Sequence, residues 1–145
     1  MQAALQLIAT LSAGLFAGAS TYVTFVEHPA RMECGTRLAV TEFAPSYNRA
    51  AMMQATLAAV GFLSGIGAWW VGAHFLWAAG GLLLGAVIPL TLIVIAPTNN
   101  QLLDPSFDRD SPLAQRLLVR WGRLHSIRTI LSDIAFVIFL IQKSY

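Results

Sequence analysis

AAMMQATLAAVGFLSGIGAWWVGAHFLWAAGGLLLGAVIPLTLIVIAPTNNQLL, residues 50–103, contains no Asp, Glu, Lys or Arg. An α-helix rises about 1.5 Å per residue and a bilayer's hydrocarbon core is roughly 30 Å thick, so about 20 apolar residues make one span. The stretch therefore holds two spans joined by a short turn near residues 72–75. Upstream, residues 1–26 are also free of charge and supply another. Downstream, residues 121–141 are apolar but carry Arg128 and Asp133. Spans are predicted near 3–26, 50–71, 76–96 and 121–141. The expected fold is an all-α integral membrane four-helix bundle, with residues 1–145 as a single membrane domain.

Composition agrees with that class. Of 145 residues, 57% are hydrophobic and 11% charged, with a mean hydropathy of +0.65, whereas a soluble domain carries about 25% charge. The first span has no Lys or Arg ahead of it and outruns a signal-peptide core of about 7–15 residues, so a retained helix is expected. The single Cys34 rules out an intramolecular disulfide and any Cys-x-x-Cys redox chemistry. A formal charge of +2, with its cations scattered, gives no stripe for nucleic acid, and no nucleic-acid partner is expected.

The charges report orientation instead. The connection at 27–49 carries Arg31, Arg37 and Arg49, and the one at 97–120 carries Arg109, Arg116 and Arg120. The opposite face has only Lys143. Cytoplasmic loops carry the Lys and Arg excess, so both long connections are expected in the cytoplasm and both termini on the non-cytoplasmic side. Glycine pairs at four-residue spacing, Gly14 with Gly18, Gly61 with Gly65 and Gly81 with Gly85, predict close helix approach. Pro89 predicts a kink. The polar stretch 101–115 reads as a loop, either a lid or a solvated linker ending in a Ser-Pro helix start near residue 111.

That topology brings four helix ends to one face, and the polar residues gather there: Glu27, His28 and Arg31, then Asn48 and Arg49, then Thr98, Asn99 and Asn100, then Trp121, His125 and Arg128. Positions 121, 125, 128 and 132 follow an i, i+4, i+7, i+11 pattern, which puts Trp121, His125, Arg128 and Ser132 on one stripe facing the bundle interior. Arg128 is expected to snorkel towards the cytoplasmic surface or to pair with Glu27. Asp133 points elsewhere, towards Tyr22, Thr24 or a second copy in a homo-oligomer. Taken singly, each residue also has a structural role open to it: Glu27 with Arg31 as an ion pair, His28-Pro29 as a helix end, Trp121 as an interfacial anchor.

The phrases FAGASTYVTFVEHPAR, APTNNQLLD and RWGRLHSIRT, in this order, resemble those of the anthrone oxygenase family of small four-span membrane proteins, which includes many bacterial members. The most specific parts are Glu27-His28-Pro29, Pro97-Thr98-Asn99, and Trp121 with His125 and Arg128. The resemblance implies a bacterial inner-membrane protein that oxidises an anthrone-like aromatic polyketide to a quinone with molecular oxygen, without flavin or haem. Its partners would be the lipid bilayer, a small apolar aromatic substrate and oxygen.

An anthrone methylene is acidified by two aryl rings and a carbonyl, so His125 or His28 can serve as base. Arg128, Asn99 and Asn100 can stabilise the enolate oxygen. Trp121 and Tyr22 can stack on a flat substrate, and Arg49 stands at the same face. No cofactor is expected on this reading. An alternative is non-haem iron or another divalent metal held by Glu27, His28 and His125, which requires the helix to unwind before Pro29. A noncatalytic protein that binds a quinone-like molecule, or acts as an assembly partner, explains the spans and glycines equally well.

Overall fold

The computed structural model describes residues 1–143, the side chain of Lys143 excepted. All regular structure among the described residues is helical: α1 (Gln2–Tyr22), a π-helical turn π1 (Val23–Glu27), α2 (His28–Glu33), α3 (Thr36–Trp70), α4 (Leu76–Pro89), π2 (Leu90–Ile95), α5 (Ala96–Leu103) and α6 (Pro112–Lys143). These join into four rods, Gln2–Glu33, Thr36–Trp70, Leu76–Leu103 and Pro112–Gln142, each long and apolar enough to cross a membrane. The expected all-α four-span architecture is what the chain adopts.

The rods are longer than the apolar stretches that announced them. Residues 27–49 and 97–120, expected as connections, are mostly helical, and the breaks fall at residues 34–35, 71–75 and 104–111. A rod of 32 residues measures roughly 48 Å, more than the hydrocarbon requires. Hydropathy marks where a helix is apolar, whereas the backbone ends it: Gly35 and Gly72 adopt φ of 88° and 100°, a left-handed region that favours glycine. The last rod opens on a capped turn in which Ala114 N–H donates to Ser111 Oγ at 3.2 Å, with Pro112 at the first helical position.

Each rod packs on two neighbours. α1 lies against α3 and α6, and α4 against the same two, while the diagonal pairs scarcely meet. α3 and α4 cross most tightly, because a Cβ at Gly65 would stand 2.8 Å from the Trp77 carbonyl oxygen and 3.0 Å from Gly81 Cα. Gly14, Gly61 and Gly85 also seat neighbouring side chains, but Gly18 faces open space. The pairing expected of Gly14 with Gly18 therefore holds for its first member alone.

Two apolar clusters result. One, around Phe16, Trp77, Leu84 and Phe139, fills the end with the short turn. The other, around Val40, Phe43, Ile95, Leu118 and Trp121, fills the opposite end. Buried polar side chains, among them Ser20, Gln54, His125, Arg128, Thr129 and Ser132, lie along the rods between them. Outside, Leu11, Leu15, Phe25, Leu63, Leu92, Ile93 and Ile130 are exposed, an apolar belt of the kind that lipid covers.

Candidate functional site

The polar layer owes its geometry to two proline-driven irregularities. Pro29 and Pro97 have no N–H and would clash with the carbonyl four residues earlier in an α-helix. Just before each, the backbone widens to π geometry, with His28 N–H donating to the Val23 carbonyl and Ala96 N–H to that of Thr91. The helix stays continuous through π1 rather than unwinding. Pro89 marks the junction where α4 passes into π2.

Trp121 is the hub. Its Nε1–H donates to Asn99 Oδ1 at 2.9 Å, and Asn99 Nδ2 donates to the Tyr47 hydroxyl at 3.1 Å. Phe43 meets the indole edge-on, with centroids 5.2 Å apart, His125 stacks on it at 4.8 Å, and His28 tilts against it at 5.2 Å. Gly122 makes room for that second imidazole, since a Cβ there would fall 2.7 Å from His28 Cδ2. His125 Nδ1 lies 3.1 Å from Thr24 Oγ1, which in turn lies 2.8 Å from Thr129 Oγ1. That hydroxyl chain, continued to Ser20 at 3.1 Å, fixes the ring from behind.

The two buried arginines differ in their compensation. Arg31 pairs with Glu27 one turn away and with Glu42 at 2.7 Å, while Ser46 Oγ donates to Glu27 at 2.5 Å. Arg128, 7% exposed, donates to the neutral Gln54 Oε1 at 2.6 Å and lies over the Phe16 ring at 5.5 Å. Its Nε has no hydrogen-bond partner, and no carboxylate among the described residues forms an ion pair with it. Glu27, expected as its partner, is taken by Arg31. Asp133 accepts from Thr21 Oγ1 at 3.3 Å, not from Tyr22 or Thr24.

Two clefts meet at Arg128. One is lined by Glu27, Arg31, Phe43, Tyr47, Trp121 and His125 among others. The second, of about 510 Å³ with its mouth included, runs between α3 and the third rod. Tyr47, Ala51, Gln54 and Arg128 line both. A separate groove between the first and last rods holds Thr24, His28, Gly122 and His125.

His125, Arg128 and Trp121 thus sit together as their spacing requires, and Asn99 reaches the site as a holder of Trp121 and Tyr47 rather than as a wall of either cleft. His28 reaches only the separate groove. Three expected contributors are elsewhere. Tyr22 is 55% exposed, on the outer face of α1. Asn100 and Arg49 are exposed, because adjacent helical residues diverge by about 100°, and Arg49, two residues beyond Tyr47, turns to the opposite side. Tyr47 and Gln54 are not among the residues that the sequence pattern singles out, although a lone glutamine inside a charge-free span is a signal.

The proposed metal set does not assemble. Among the described residues no group of three or more His, Cys, Asp or Glu is placed to hold a metal ion, and Glu27 is bound by Arg31 and Ser46.

Comparison with known proteins gives one family: a family model described as anthrone oxygenase matches residues 43–138. The matched stretch includes Tyr47, Gln54, Asn99, Trp121, His125 and Arg128. No curated protein and no solved structure matches the chain.

Proposed function

The chain belongs to the anthrone oxygenase family, and on that premise we propose that it is a membrane-embedded oxygenase that converts an anthrone-like aromatic substrate to a quinone with molecular oxygen. The observation that carries the reading is Arg128: a buried guanidinium without a counter-ion, one helical turn from His125 and opening on two clefts with aromatic walls. A buried cation left unpaired by its own fold is costly unless an anion arrives to meet it. An enolate oxygen is such an anion.

On this reading Nδ1–H of His125 is donated to Thr24, which leaves Nε2 to take the proton from the substrate methylene. Arg128 and the Tyr47 hydroxyl, whose oxygen already accepts from Asn99, bind the oxygen on which charge develops. The enolate reduces O₂ and forms a carbon–oxygen bond, giving a hydroperoxide at the former methylene carbon. The loss of water from it leaves the carbonyl, so that one CH₂ and one O₂ become one C=O and one H₂O. Phe43, Trp121 and Phe16 wall the ring system. In the membrane, the end of the bundle that carries these residues faces the cytoplasm, by the arginine excess of its connections.

The test is oxygen consumption by the purified protein in detergent on a simple anthrone, with and without a chelator and with metal analysis of the same sample. Uptake above the spontaneous rate, retained on chelation and lost in His125→Ala, is expected. Saturable binding of a quinone without uptake would favour a noncatalytic binder instead.

A further inference from the structure

We infer that the cleft between α3 and the third rod is a lateral slot, open to lipid, that admits a flat apolar ring system from within the bilayer and holds its anionic oxygen at Arg128. This rests on the proposed function for the identity of the reactant, but its geometry stands separately. Gly61 and Gly65 of α3 and Gly81 and Gly85 of α4 bring the two helices together. Past Pro89 the wider π2 turn packs on α6 and hardly touches α3, so the helices part and leave a wedge.

The chemistry of the wedge is graded. At its mouth Ala55 is exposed and Leu92 is 69% exposed, both within apolar rods. Its walls are Ala51, Ala55 and Ala58 on one side and Val87, Ile88 and Thr91 on the other. The alanines recur at i, i+4 and i+7, so small side chains open the α3 face, on which Tyr47 and Gln54 also line the cleft. The floor holds Phe16, fully buried, and the Arg128 guanidinium with its unpartnered Nε. A slot with mostly apolar walls that ends on Tyr47, Gln54 and a single desolvated cation suits a ring system bearing one negative oxygen. It excludes hydrophilic anions, which do not reach the mouth through lipid.

The probe is 9-anthracenecarboxylate, a fluorescent tricyclic anion that the protein has no means to oxidise as an anthrone, with 9-methylanthracene as its neutral counterpart. Binding is measured in nanodiscs holding the full chain. Saturable binding of the carboxylate above lipid partitioning, at least tenfold tighter than that of the neutral ring, is expected. Ala55→Phe, at an exposed position that does not threaten folding, should weaken it at least tenfold, as should Arg128→Gln. Arg37→Gln, at a surface ion pair with Asp110, should leave it unchanged.

Absence of saturable binding, or binding indifferent to Ala55→Phe, would overturn the slot. Slot-dependent binding in a protein that shows no oxygen uptake would uphold the slot and sink the oxygenase reading, so the two ideas fail separately.

Discussion

Arg128 Nη2 donates to Gln54 Oε1 at 2.6 Å, and both side chains are more than nine-tenths buried. A neutral amide thus orients the guanidinium without neutralising it. A carboxylate in that place would cancel the charge that the site holds ready.

Gln54→Glu tests this directly. The new carboxylate should pair with Arg128 and preserve the fold, giving an unchanged melting temperature within a few degrees, while oxygen uptake falls by about 10²-fold, the typical loss for an oxyanion donor. Gln54→Leu should instead destabilise by about 2–3 kcal/mol, the cost of removing the acceptor from a buried charged donor. Thermal unfolding in detergent separates the two.

For His125, replacement by Ala should lower the rate by about 10²–10⁴-fold, the range for loss of a general base, with folded yield retained. Thr24→Val should cost less, because it frees the ring without removing it, and Thr24→Ser should restore the wild-type rate. Lost yield with no separable effect on turnover would make both residues structural.

Tyr47→Phe removes one donor at the floor of the clefts and leaves the Asn99–Trp121 bond in place. A fall in kcat of about 10-fold or more, with little change in KM, is expected of an interaction made mainly in the transition state. Tyr22→Phe, Asn100→Ala and Arg49→Ala, at exposed positions, should each stay within about 0.5 kcal/mol of wild type in stability and keep full turnover. A large effect from any of the three would mean that the site extends beyond the two clefts.

Gly65→Ala places a methyl group against the Trp77 carbonyl and Gly81 at the α3–α4 crossing. Backbone has to move to admit it, and overpacking of this kind costs about 1–3 kcal/mol. Gly18→Ala, which meets nothing within 4 Å, should be neutral. Paired melting curves of the two variants check the crossing.

The stripe of Trp121, His125, Arg128 and Ser132 was legible because helical period is a property of sequence alone. The gathering of helix ends is legible too, because successive spans alternate in direction and four of them bring four ends to one face. The partners were not. Charge at residues 27–49 suggests a connection, which hides that Tyr47 lies on α3 and shares a face with Gln54 at i, i+7. Arg128 looked towards Glu27 because opposite charges attract, but Arg31, four residues from Glu27 on the same helix, claims that carboxylate locally. Asn99 and Asn100 read in the sequence as two donors, but neighbours on a helix point about 100° apart.

A π turn accommodates one more residue than the same length of α-helix, so π1 and π2 act as built-in insertions on the two rods that carry proline-punctuated polar ends. Each turns everything beyond it by about 100°. A single-residue deletion within 23–27 or 90–95 would close the π turn to α geometry and keep its flanks in register, whereas the same deletion in the α-helix on either side would turn one flank against the other by about 100°. The address of these side chains is therefore written in chain length. A redesign that keeps Pro29 and Pro97 keeps the two turns, and a change of spacing by one position is absorbed inside them but rebuilds the site when made anywhere else on these rods.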